Sequence, residues 1–267
     1  MIKAQVTLTP AESKRIIAKA VASMSVVKKA LKNGIVIVSL GTTNAYVAEE
    51  IVGKKIKKNL FAAGMITPRG TCITQQNKRL KPVIIKRGKV TNLQLTDVLD
   101  ELESDDVFIK GANALDPDGH AGVFVANPRG GTIGKALGVV RSRGVNFIVP
   151  VGLEKFIPSS LLEVSSMVGV GKIDKSMGIP VGLTVVKGKI VTEVDALHML
   201  TGVKVTPMGA GGIGGAEGAV TLLLDGNKKA VNKAWQLVES VKGEKTIKAI
   251  PEDCKKCTYN CTYRLGK

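Results

Sequence analysis

Four β-branched apolar residues, Ile35-Val36-Ile37-Val38, follow one another without a polar interruption, and turn-forming residues bracket them: Asn33-Gly34 before and Gly41-Thr42-Thr43-Asn44 after. An uninterrupted run of this length is expected of a parallel strand covered on both faces. Ahead of it, Ile16, Ile17, Ala20, Met24, Val27 and Leu31 recur at helical spacing. Thr9-Pro10-Ala11-Glu12 supplies the start of that helix, with a threonine cap, a proline at the first helical position and a glutamate completing the capping pattern. The pattern predicts one long amphipathic helix that stops at Asn33-Gly34. Beyond the strand, residues 45–51 read as a second helix ending near Gly53, so the opening unit is strand, tight turn, helix.

The alternation continues. Residues 83–85 and 107–109 read as strands, with Thr96 capping an acidic helix over 97–103 between them; residues 130–140 read as a loop and helix leading to a strand over 145–149. This pattern predicts an α/β fold, a Rossmann-like open and mostly parallel sheet with helices on both faces, whose sites lie at the carboxyl ends of its strands. After about residue 178 the texture changes to strands at 181–186, 190–191, 203–207 and 220–224, a short helix around 196–200 and a longer one over 227–241. We therefore expect a larger unit over 1–178, a smaller α+β unit over 179–250 and a cysteine-rich tail over 251–267.

Composition adjusts this picture in three respects. Aromatics make up only 3% of the 267 residues and Gly reaches 30, so the core is aliphatic and turns are abundant. The apolar runs are strand-length, far short of the ~20 residues that a membrane span requires, and the residues before Thr9 carry no apolar signal-peptide core. A cytoplasmic protein without a membrane partner is expected. Lys and Arg number 39 against 22 Asp and Glu, a net charge of +17. That excess favours anionic partners, but the basic residues are scattered and stacking aromatics are scarce, which argues against specific nucleic-acid binding. The sequence leaves oligomeric state open, a homo-oligomer included.

Candidate chemistry gathers after the strands. Gly41 lets the backbone approach a ligand, Thr42, Thr43 and Asn44 offer hydrogen-bonding side chains, and the helix behind them presents unpaired N–H groups at a positive dipole end. Capping of that helix by Thr43 or Asn44 is the alternative. Lys110, Asn113, Asp116 and His120 follow the strand at 107–109, with His120 suited to proton exchange and Asp116 to orienting it or acting as base; Asp116-Pro117-Asp118-Gly119 is equally an ordinary turn. Arg129, Gly130, Gly131 and Thr132 precede a helix and offer a second anion seat, with Lys135 adding charge. Gly209-Ala210-Gly211-Gly212-Ile213-Gly214 matches a Gly-x-Gly-x-x-Gly pattern, but a strand follows it where a dinucleotide site needs a helix, so no dinucleotide cofactor is expected. His198, in a short apolar helix, reads as structural.

On these residues the chain resembles the superfamily of ribose-5-phosphate isomerase, glucosamine-6-phosphate deaminase and the CoA transferases. Leu40-Gly41-Thr42-Thr43-Asn44 is similar to the turn after their first strand, residues 106–116 to a later segment of the isomerases, and Gly130-Gly131-Thr132 to a Gly-rich turn further on. The resemblance implies an isomerase-, lyase- or transferase-like enzyme acting on a phosphorylated or CoA-like metabolite. Two departures mark the chain: Asn113 stands where that pattern has an acid, and Lys135 lies in the segment that should carry a glutamate base. A non-catalytic sensor using the same pocket is the competing expectation.

Cys254-Lys255-Lys256-Cys257-Thr258-Tyr259-Asn260-Cys261 places three of the four cysteines within eight residues. In a reducing compartment such spacing points to a metal, with an iron–sulfur cluster ahead of Zn, and Cys72 is the remaining thiol available as fourth ligand. A tail of exposed thiols without a metal is the plain alternative.

Overall fold

The computed structural model describes residues 1–259 and 261. The chain opens on a strand that the hydrophobic pattern did not announce, β1 (Ile2–Leu8). Thr9, Pro10 and Glu12 then start α1 (Pro10–Ser23) through the expected capping box, in which the Thr9 N–H donates to the Glu12 carboxylate at 2.9 Å. The single long helix expected here is two helices. At Met24 the backbone turns to ψ 136°, the Ser23 hydroxyl donates to the Ala20 carbonyl at 2.7 Å, and α2 (Ser25–Asn33) sets off afresh to bury Val27 and Ala30.

There follow β2 (Ile35–Val38), α3 (Thr42–Val52), a hairpin of β3 (Gly64–Thr67) and β4 (Gly70–Ile73), and the strands β5 (Val83–Lys86) and β6 (Lys89–Thr91). The expected helix over 97–103 begins earlier and is shorter. Gln94, in place of Thr96, caps α4 (Leu95–Val98), and a single 3₁₀ turn continues it. Next come β7 (Val107–Ile109), β8 (Ala114–Leu115), β9 (Ala121–Val125), α5 (Gly131–Ser142), β10 (Asn146–Pro150), α6 (Leu161–Met167), β11 (Gly182–Val186) and β12 (Lys189–Val191). The chain continues with α7 (Glu193–Thr201), β13 (Lys204–Gly211), β14 (Ala219–Gly226) and α8 (Lys228–Glu239).

The main sheet has the order β12-β10-β7-β2-β5-β6. β2, β7, β10 and β12 run parallel, β5 pairs antiparallel with β2 and β6 antiparallel with β5, so the sheet is mixed. The physical reason is the connection: parallel neighbours need a crossover, and the stretch from Gly53 to β5 holds a hairpin and short 3₁₀ turns. β2 is covered on both faces, as its unbroken apolar run requires. Val36 and Val38 join the layer built with α1, α3, α7 and α8; Ile35 and Ile37 join the opposite layer with Phe108, Phe147 and residues of α4 and α5.

Elements on the two sides of residue 178 share sheets. β12 is an edge strand of the main sheet, β11 pairs with β9, and β14 lies between β1 and β13. The glycine-rich stretch 209–214 runs from the end of β13 towards β14. No helix among the described residues is long and apolar enough to cross a membrane.

Candidate functional site

The parallel strands β2, β7 and β10 end side by side, and the segments leaving them are locked together. Ser39, just after β2, sends both its N–H (3.0 Å) and its hydroxyl (2.8 Å) to the Ile109 carbonyl at the end of β7. Asn44 joins this lock: its amide donates to the Ser39 carbonyl at 2.7 Å and to Ile109 at 3.2 Å, with the whole residue buried. The alternative in which Asn44 caps its own helix is not what is seen; its side chain fixes the turn.

With Asn44 so occupied, the amino end of α3 is left open. Gly41 stands at its N-cap with no side-chain cap and no acidic residue in the first turn. The Thr43 hydroxyl is buried and has no hydrogen-bond partner. The amino end of α5 is built in the same way: Gly130 and Gly131 adopt φ of 76° and 58°, a left-handed bend open to glycine, and again neither a side-chain cap nor an acidic residue is present. Helix amino ends without a carboxylate leave N–H donors and positive dipole ends for a ligand.

Both amino ends open into one cavity of about 480 Å³. Gly41, Thr42, Thr43, Gly130, Gly131, Thr132, Lys110 and Asn113 all line it, so most of the residues singled out in the sequence meet here. Lys155, after β10, faces in as well, as do Arg79, Lys248 and Tyr259. Three lysines and an arginine line the cavity, and among its described lining residues there is no Asp or Glu. Burial pushes the Lys110 ammonium down to about 8, and the neighbouring Lys155 adds repulsion. Lys155 is likewise lowered by burial, with Glu154 pulling the other way; the Glu154 carboxylate is shared between Lys14 at 2.9 Å and Lys155 at 3.6 Å. Asn113 accepts the Phe124 N–H at 3.0 Å through its carbonyl, which fixes the side chain at the cavity wall.

Other expected residues lie elsewhere. Asp116 and His120 are outside the lining. The buried Asp116 carboxylate accepts the His120 N–H at 2.7 Å and the Leu161 N–H at 3.1 Å, and meets His120 Nδ1 at 3.1 Å. It ties a turn and the start of α6. Burial opposes its charge, yet these donors hold its pKa below the usual carboxylate range. Asp116, Asp118 and His120 bring ligand-type atoms within 4.8 Å of one another, and among the described residues they form the only such group of three or more His, Cys, Asp or Glu side chains. Arg129 and Lys135 are exposed and outside the lining.

Cys72, on β4, lines the cavity, and the tail returns to the same hairpin. The Glu252 N–H donates to the Ile73 carbonyl at 2.9 Å, and Arg69 at the hairpin turn donates to Cys254 Sγ at 3.4 Å. Lys155, Arg79, Lys248 and Tyr259 are the lining residues that sequence reasoning missed. For Lys155 the signal was available: it follows a parallel strand, the same rule that singled out Lys110 after β7. Arg79, Lys248 and Tyr259 reach the cavity through tertiary folding that no local pattern encodes.

Compared with models of known families, with curated proteins and with solved structures, the chain gives no match.

Proposed function

We propose that this protein binds a phosphorylated small metabolite in the cavity at the ends of β2, β7 and β10. The observation that carries the proposal is charge: two acid-free helix amino ends, three lysines and an arginine converge on one cavity, and none of its described lining residues is an Asp or Glu, although Lys155 has Glu154 behind it at 3.6 Å. Each helix end suits one anionic group, which favours a ligand with two, such as a diphosphate or a sugar phosphate with a second anionic or polar end. Val123, Val125, Ile179 and Val181 supply an apolar wall for the organic part, and the volume is that of ordinary metabolite sites.

If the protein turns its ligand over, Lys110 is the group placed to move a proton. It lies in the cavity, and its lowered pKa supplies a neutral amine at mildly alkaline pH. Asp116 and His120 keep a structural part in this proposal.

The test is a thermal-shift series with inorganic phosphate, inorganic pyrophosphate, ribose 5-phosphate and coenzyme A. A ligand at one hundred times its Kd stabilises by about 2.7 kcal/mol, which for a chain of this size raises Tm by roughly 5–10 °C. Following the stabilising compound by phosphorus NMR separates turnover from binding: consumption marks an enzyme, stabilisation without consumption a sensor. If none of the four raises Tm, the proposal fails.

A further inference from the structure

We propose that Cys72, Cys254, Cys257 and Cys261 together hold an iron–sulfur cluster beside the mouth of the cavity. The inference rests on how the tail is docked and is independent of the anion site. Residues 250–252 run alongside the end of β4: the Gln75 N–H donates to the Ile250 carbonyl at 3.4 Å, the Glu252 N–H to Ile73 at 2.9 Å, and Thr74 bridges to Pro251. Asp253 then folds the chain into a turn, accepting at its carbonyl from the N–H of Lys256 at 3.0 Å and of Cys257 at 2.8 Å. That turn carries Cys254 and Cys257 on a Cys-x-x-Cys spacing, with Cys254 held to Arg69, three residues before Cys72 in the same hairpin. Tyr259, between Cys257 and Cys261, lines the cavity together with Cys72. The docked tail thus returns Cys254, and with it the Cys-x-x-Cys turn, to the hairpin that carries Cys72.

The receiving hairpin is well anchored. Thr71 is clamped by residues 177–179, with its N–H on the Met177 carbonyl at 3.3 Å and its hydroxyl on the Ile179 carbonyl at 2.6 Å. Gly70 has φ 96°, and a Cβ there would sit 1.9 Å from the Met177 carbonyl oxygen, so only glycine permits the approach. All four cysteines are half-buried, where a cluster has protein on one side and can be loaded from the other. Arg69 on the hairpin and Lys255 and Lys256 in the tail supply positive charge that offsets the negative charge of a thiolate cluster.

The donor set is all sulfur, since His120 and His198, the two histidines of the chain, sit on other elements. Four thiolates are the usual ligand set of two-iron and four-iron clusters; a four-cysteine zinc site draws on the same set, and metal analysis separates the two.

The experiment is anaerobic purification of the full chain, with iron, acid-labile sulfide and zinc analysis, a visible absorption spectrum, and EPR after dithionite reduction. The expected result is a brown protein with about two or four irons and matching sulfide per chain. Cys72→Ser and Cys257→Ser should each lose at least half of that iron with the far-UV spectrum unchanged. Reconstitution of wild type with ferrous iron and sulfide covers the case in which a variant fails to fold; loading should then slow tryptic cleavage at Lys255 and Lys256 several-fold. A metal-free protein that reconstitution cannot load overturns the proposal, as does one zinc without iron, or iron content that the cysteine substitutions leave untouched. Gly41→Asp should keep its iron, so failure here and failure of the anion site are separable.

Discussion

Replacing Gly41 by aspartate separates the fold from the function. Gly41 sits at the N-cap of α3 with φ 165° and ψ 152°, extended backbone that any residue adopts. A Cβ added there meets nothing nearer than the Asn44 side chain at 3.7 Å, an ordinary contact. Aspartate is also a favoured N-cap, so the ligand-free variant should be as stable as wild type or better by a few tenths of a kcal/mol. Against an anion the same carboxylate is repulsive. At about 5 Å and an effective dielectric constant between ~20 and ~80, two unit charges interact by roughly 0.8–3.3 kcal/mol, and a phosphate dianion doubles this. Even the low end, about 1.7 kcal/mol, weakens binding more than tenfold. Calorimetric titration of both proteins with inorganic pyrophosphate, beside their ligand-free melting curves, reads the two effects separately. An affinity loss of less than threefold in a variant of unchanged Tm would refute the placement of an anion at this helix end.

The other predictions concern the charges around the site. Lys110→Met should weaken pyrophosphate binding at least tenfold yet raise ligand-free stability by about 1–3 kcal/mol, because it removes an ammonium whose pKa burial has driven down to about 8; denaturant melts at pH 7 measure this. The sign follows for pH: the folded protein releases this proton before the unfolded chain does, so the cost is full below pH 8 and is relieved as pH rises from about 8 to 10, while anion affinity falls through the same window. Asp116→Ala should cost about 2–4 kcal/mol through lost hydrogen bonds at the start of α6 and leave pyrophosphate affinity within twofold. Arg15 pairs with Glu49 at 2.7 Å, Glu50 at 2.8 Å and Glu244 at 2.9 Å, so Arg15→Ala should cost about 3–5 kcal/mol. Although burial opposes its charge, Glu49 is held at about 2 by the Ile56 N–H, Arg15 and Lys58. Its stabilisation is present above the unfolded pKa near 4 and disappears as pH falls towards 2, which an acid titration of stability followed by circular dichroism would show.

How much of this was legible in the sequence varied with the kind of signal. β2 was readable because a strand buried on both faces must be apolar at every position, and Thr9, Pro10 and Glu12 announced α1 because capping is local chemistry. The break at Met24 was hidden, since Val27 and Leu31 continue the helical period across it and the bend becomes visible only through what α2 covers. β1 was missed because its partner is β14, more than two hundred residues away. The antiparallel β5 looked like another parallel strand: short apolar runs carry no direction. For the candidate site, the rule that ligands gather at strand ends located Gly41, Lys110 and Gly130. It also selected Asp116 and His120, whose side chains spend their hydrogen bonds on a turn. Lys155, just after β10, was open to the same rule and was overlooked, whereas Arg79 and Lys248 became visible only when the chain was closed around the cavity, and with them the absence of any lining carboxylate among the described residues.

The most direct test of the anion-site proposal is a crystal structure with bound inorganic pyrophosphate. The account predicts one phosphoryl group within hydrogen-bond reach of the Thr42 and Thr43 N–H groups at the start of α3, the other near Gly131 and Thr132 at the start of α5, and Lys110 between them. A protein that binds pyrophosphate on its exposed basic surface, with both helix ends and Lys110 left to solvent, would contradict it.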